Sequence, residues 1–190
     1  MAIVIDGSAN TIAGLAVGGL PDGTVDTDTL ASGLATQGIT EFDQWRITSA
    51  LSNSPGSAVI TANWERSDNK FEKIGTGLTE SSGIFSFPST GKYLITFSFY
   101  ANGNDDRYIG CEMHASNDSG SNYTQIADNL DSAYSGSGTY SAGTIQSLID
   151  VTDASTFRLK FHAVSVGTVT FNAASDAQRT GFTCIRLGGT

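Results

Sequence analysis

The chain has 190 residues, among them 22 Gly and 3 Pro, and its 19 acidic against 10 basic side chains give a formal net charge of -9. A hydrophobic fraction of 39% is enough to build a core, and a charged fraction of 15% argues against disorder. An acidic chain without a basic cluster repels a phosphate backbone, so nucleic acid is excluded as an expected partner. No run of about 18 apolar residues occurs, so no membrane insertion is expected, and Met1-Ala2-Ile3-Val4-Ile5-Asp6 lacks the basic and apolar regions of a signal peptide.

Residues 1–38 are small, punctuated by Gly and rich in Thr and Asp, with apolar residues too scattered to close a core: Ile5, Ile12, Leu15, Val17, Leu20, Val25, Leu30 and Leu34. No heptad runs through them, so they do not form a coiled-coil stalk. Such a stretch is either flexible or ordered by packing on something else. The boundary falls near Gly38, ahead of Ile39-Thr40-Glu41-Phe42-Asp43-Gln44-Trp45.

From there period-two alternation recurs between clusters of Gly, Asn, Asp and Ser, the pattern of half-buried strands. Strands are predicted over 44–50, 58–62, 71–74, 83–87, 91–101, 107–116, 123–128, 141–151, 156–163, 168–171 and 182–187. Within 107–116, Ile109, Cys111, Met113 and Ala115 share one face, with Tyr108, Glu112 and His114 on the other. The strand over 91–101 is apolar on both faces: Tyr93, Ile95, Phe97 and Phe99 on one, Leu94 and Tyr100 on the other. A strand of that kind must be covered twice, and the simplest second cover is another copy of the chain. Many short strands separated by turn signals predict an antiparallel all-β sandwich or jelly roll.

Motifs for chemistry are absent: no nucleophile elbow, C-x-x-C pair, dinucleotide or phosphate loop, or H-E-x-x-H occurs. His114 and His162 sit on polar strand faces with no partner indicated, and read as surface or interface side chains. Cys111 and Cys184 lie in apolar runs and read as buried free thiols. Asp22, Asp26 and Asp28, and Asp105 with Asp106, offer oxygen ligands without the spacing of a calcium loop, and Asp is equally a turn residue. No cofactor, metal or catalytic residue is expected. Trp45 and Trp64 read as core or interface anchors. The run 128–143, with Asn129, Tyr134 and Tyr140, has the composition of an adaptable contact loop and equally of a solvated connection.

The run Phe71-Glu72-Lys73 followed by Gly83-Ile84-Phe85-Ser86-Phe87-Pro88-Ser89-Thr90-Gly91-Lys92-Tyr93-Leu94-Ile95-Thr96-Phe97 resembles the signature of the trimeric jelly rolls typified by the complement globular head and the tumour necrosis factors. Gly91, Tyr93 and Phe97 match the pattern, and Ile95 replaces an aromatic. Ser141 to Ile145, Phe157 to Leu159 and Phe182 to Leu187 resemble that family's later strands, so the resemblance covers about 40–188. The segment Ile5 to Val25 is similar to one that recurs in fibre and appendage proteins of tailed bacteriophages. Together the resemblances imply a virion protein made in the bacterial cytoplasm, without enzymatic activity. It would be a homotrimeric short fibre or spike with a jelly-roll head over 39–190 and a virion-docking segment over 1–38. Trp45, Leu94 and Tyr100 are the expected trimer contacts. Asn129, Tyr134 and Tyr140 are the expected contacts to a host glycan or protein, and Ile5, Ile12, Leu15, Val17 and Leu20 would dock to capsid or tail proteins. The alternatives are a capsid decoration protein and a polysaccharide depolymerase.

Overall fold

The computed structural model describes residues 4–6, 11–13, 38–103, 107–133 and 136–190, and among these there is no helix. The chain divides into two units, Met1–Gly38 and Ile39–Thr190. In the first, β1 (Val4–Asp6) and β2 (Thr11–Ala13) pair antiparallel with Ile5 opposite Ile12. Leu15, Val17, Leu20, Asp22, Asp26 and Asp28 lie outside the described residues, as do Asp105, Asp106 and Tyr134.

The second unit is built from β3 (Phe42–Ile47), β4 (Leu51–Asn53), β5 (Gly56–Val59), β6 (Trp64–Arg66), β7 (Thr79–Ser81), β8 (Ile84–Ser86) and β9 (Gly91–Gly103). There follow β10 (Ile109–Ser116), β11 (Thr124–Asp131), β12 (Thr139–Val151), β13 (Arg158–Ser165), β14 (Val169–Phe171) and β15 (Gly181–Gly188). All pairings are antiparallel and fall into two sheets, which makes an all-β jelly-roll sandwich. The first sheet runs β4-β14-β9-β15-β3-β6, with β12 on the other side of β9; the second runs β11-β10-β13-β8-β7, with β5 on β13.

The inward faces are those the alternation predicts. Tyr93, Ile95, Phe97 and Phe99 of β9 are buried against Ile109, Cys111 and Met113 of β10 and Leu159, Phe161 and Ala163 of β13. Trp64 stands among four rings, Phe85, Phe97, Phe161 and Phe182, with centroids 5.2–6.4 Å away. Its indole N–H donates to the Ile60 carbonyl at 2.8 Å, which satisfies the one polar atom the ring carries.

Three departures from the sequence pattern have local causes. The strand predicted over 71–74 is reduced to a single bridge between Phe42 and Ile74, because Lys70 and Gly75 bracket it with positive φ (55° and 76°) and turn the chain away at each end. The hairpin β7–β8 is tied by Ser82 and Gly83, both at positive φ (53° and 79°), the arrangement of a two-residue primed turn. The loop predicted over 128–143 gives way to strand at both ends, because β11 continues to Asp131 and β12 begins at Thr139.

β3 itself carries a buried carboxylate. Asp43 accepts hydrogen bonds from Trp45 Nε1 (2.9 Å), Arg66 Nε (2.8 Å) and the Leu78 amide (2.8 Å), and the Arg66 guanidinium also lies over the Trp45 ring at 4.6 Å. The charge is therefore paired and hydrogen-bonded, the condition under which a carboxylate can be buried.

Candidate interaction surface

The outward face of the first sheet follows from the register. Leu94 of β9 stands opposite Leu148 of β12 on one side and Ile185 of β15 on the other, and Ile185 stands opposite Phe42 of β3. Because directly paired residues point to the same face, these four side chains form one apolar row across four strands. Phe71 extends it, its ring 5.6 Å from that of Phe42. Leu148 is 59% exposed, and Leu94 and Ile185 are only half-buried.

Along the strands the face turns neutral and then aromatic. Thr96 and Gln146 hydrogen-bond at 3.0 Å, and Ser98 and Thr144 at 2.9 Å. Beyond them Tyr100 and Tyr140 stack with centroids 5.4 Å apart and planes 12° apart. An open depression lined by Ser98, Tyr100, Ala142, Thr144 and Arg179 lies between the aromatic pair and the neutral band. Charge on β9 and β12 is confined to the far end, where Lys92 pairs with Asp150. Depletion of charge with enrichment in aromatic and aliphatic side chains marks the centre of a protein interface more than it marks free surface.

Of the expected trimer contacts, Leu94 and Tyr100 are on this face. Trp45 is not: it points into its own sandwich, 8% exposed, with its ring 5.4 Å from Phe85. Position in β3 explains the correction, since Phe42 and Gln44 take the outward side while Asp43 and Trp45 pair with the inward Cys184 and Phe182. Leu148, Ile185 and the Tyr140 ring complete the surface. The signal for Leu148 was in the sequence, an apolar residue at the polar parity of β12.

The expected host-contact residues are dispersed. Tyr140 belongs to the sheet face just described. Asn129 lies within β11 opposite Cys111, and its Oδ1 is buried with no hydrogen-bond partner. A side chain turned inward in a strand is not a loop contact, so Asn129 is corrected as well.

The two histidines come together on the outward face of the second sheet. Glu112 of β10 pairs with His162 of β13, and His114 with Lys160. The two imidazoles stack with centroids 4.1 Å apart. Glu112 Oε2 is 2.8 Å from His114 Nε2 and 2.8 Å from Ser57 Oγ, and Ser57 Oγ is 2.9 Å from His162 Nδ1. Burial lowers the His162 pKa to about 4, assisted by repulsion from His114 and Lys160, so this ring is neutral near pH 7. Burial alone would raise the Glu112 carboxyl, but hydrogen bonds from His114 and Ser57 and attraction to both imidazoles hold it below the usual carboxylate range.

The fold defines the class, an antiparallel jelly roll of the kind found in tumour necrosis factors. Among solved structures the chain is similar to murine APRIL, at 11% identity over 77% of this chain and 98% of that one, with a TM-score of 0.56. It is also similar to Eiger TNF from S. frugiperda, at 13% identity over 78% of this chain and 93% of that one, with a TM-score of 0.54. At such identities the likeness is one of fold. No family model and no curated protein matches the sequence.

Proposed function

We propose that this chain is a non-enzymatic virion protein of a tailed bacteriophage, a homotrimeric short fibre or spike whose jelly-roll head is held to the particle by residues 1–38. The observation that carries the trimer is the uncovered row Leu148–Leu94–Ile185–Phe42, continuous over four strands and free of charge. Packing this face against two other copies would supply the second cover that β9 needs. Obligate interfaces of this sort bury about 2,000 Å² or more. The resemblance to trimeric jelly rolls supports the same arrangement, and the resemblance of Ile5 to Val25 to phage appendage segments supports the virion role.

Docking through residues 1–38 would be repeated three times per trimer, so weak individual contacts would add through avidity. Host contact falls to connections that the sheet face does not use, such as 116–122, where Asp118 orders the turn by accepting from Ser116 Oγ and the Asn122 amide. The depolymerase alternative needs two carboxylates flanking a glycosidic bond. The depression beside Tyr100 is lined by none, and the cleft between Ile126, Ile149 and Phe157 has only Asp150.

The test is incorporation. Deleting residues 1–38 should leave a folded trimer that no longer joins particles; normal incorporation of the truncated chain would overturn the docking role. Imaging the labelled protein on virions distinguishes a tail fibre from a capsid fibre or decoration, and its absence from purified particles would sink the virion reading altogether.

A further inference from the structure

The Glu112–His114–His162 cluster is remote from the apolar row, being on the other sheet, and the proposed assembly makes no use of it. Its donor atoms lie within 4.8 Å of one another. Two imidazoles and a carboxylate are the donor set that binds zinc and neighbouring first-row divalent ions. Tetrahedral zinc with bonds of about 2.0–2.1 Å places its ligand atoms about 3.3 Å apart. Glu112 Oε2 is 2.8 Å from His114 Nε2 and 3.7 Å from His162 Nδ1, so the observed spacings straddle that value.

We propose that Glu112, His114 and His162 form a binding site for a divalent transition-metal ion, with zinc as the natural fit and water completing the shell. The three ligands come from two paired strands, β10 and β13, and a fourth group, the Ser57 hydroxyl, reaches in from β5. Strand register rather than a loop fixes the carboxylate and the imidazoles relative to each other. A bound ion would cross-link adjacent strands of the second sheet.

The proton arrangement allows it. Ser57 donates to Glu112 and can accept from His162 Nδ1, which assigns the Nδ1 proton to the metal-free form. His162 Nε2 is buried and has no hydrogen-bond partner. Moving the proton from Nδ1 to Nε2 frees the ligand lone pair; the Nδ1–H bond to Ser57 is given up and the Nε2–H meets no acceptor, a cost that the metal–nitrogen bond must offset. His114 must likewise shift its proton from Nε2 to Nδ1, and the Ser57 hydroxyl then serves to orient Glu112. The rings now lie 17° from parallel, so they must tilt toward each other at the edge facing Glu112 and open at the far edge for both lone pairs to converge. That rotation ends the stacking.

Competing sites are few, which makes the test clean. The chain has only two histidines, and both cysteines are buried. The untagged full-length protein, stripped with chelator, is titrated with zinc chloride by calorimetry and followed by proton NMR. Saturable uptake of one zinc per chain is expected, with both pairs of imidazole C–H resonances shifting in step. His114→Gln and His162→Gln should each weaken binding about tenfold or more, and Ser57→Ala about tenfold, as loss of an orienting partner does. Binding that persists unchanged in the double histidine variant, or imidazole resonances that do not move in the wild-type protein, would overturn the proposal. The second readout needs no variant to fold.

Discussion

Substituting Leu148 by Glu tests the proposed trimer most directly. Leu148 is 59% exposed in the single chain, and its neighbours on the face are Leu94 and, one strand further, Ile185. Burying a leucine side chain completely is worth about 1.5–3 kcal/mol, so covering the exposed part would contribute about 0.9–1.8 kcal/mol per copy. Three copies per trimer give about 3–5 kcal/mol, or about 100- to 10,000-fold in the association constant at 1.4 kcal/mol per tenfold. A buried glutamate adds a desolvation cost to that loss. Within one subunit the side chain points outward, so folding stability should change by only about 0.5 kcal/mol. Sedimentation velocity reads the result: wild type near three times 19.8 kDa, and Leu148→Glu as a folded monomer at micromolar concentration. Leu130→Glu is the control, since Leu130 is comparably exposed, at 52%, but belongs to β11 of the other sheet. A trimeric Leu148→Glu protein, or equal dissociation by both variants, would refute the assignment of the face.

Asp43→Ala should lower stability by about 2–4 kcal/mol, because the Trp45 Nε1 and Leu78 amide donors are left buried without an acceptor and Arg66, partly exposed, keeps only the Leu78 carbonyl; chemical denaturation measures it, and a loss below about 1 kcal/mol would contradict the geometry. Burial raises the Cys111 pKa to about 12 and moves Cys184 upward too, so neither thiol should react with a disulfide reagent at neutral pH until the protein unfolds. Fast labelling of the native protein would disagree with the packing. The Asp118 carboxyl has its pKa lowered to about 2 by hydrogen bonds from Ser116 and Asn122. A folded-state pKa below the unfolded one adds stability that is present above about pH 4 and is lost as pH falls towards 2; a carbon-detected titration with its midpoint near 4 would contradict this ordering of the 116–122 turn.

The inward faces were legible in the sequence because strand parity alone determines them. Tyr93, Phe97 and Phe99 alternate without interruption, and the structure buries all three. Short strands were less so: β4, β6 and β7 have three residues each, too few for alternation to show, and their pairing is set by neighbours far along the chain. The strand predicted over 71–74 failed for the converse reason. Its apolar residues, Phe71 and Ile74, only bracket a charged pair, while Gly75 takes a positive φ and a Cβ there would meet the Thr40 carbonyl oxygen, so backbone packing decided the path.

The interaction surface shows where sequence reasoning stops. That β9 is apolar on both faces was visible, and the structure places Leu94 and Tyr100 on its outward face. Which other side chains join them depends on register, because a shift of one residue sends a strand's whole set of side chains to the other face. Trp45 was misplaced for that reason, since β3 sets Phe42 outward and Trp45 inward. The same dependence hid the histidine cluster: Glu112 and His114 are two apart on one strand, but His162 is brought opposite Glu112 only by the β10–β13 register. Both sites are therefore properties of pairing between strands distant in the chain. A residue's parity tells which face it takes, and only the register tells what it meets there.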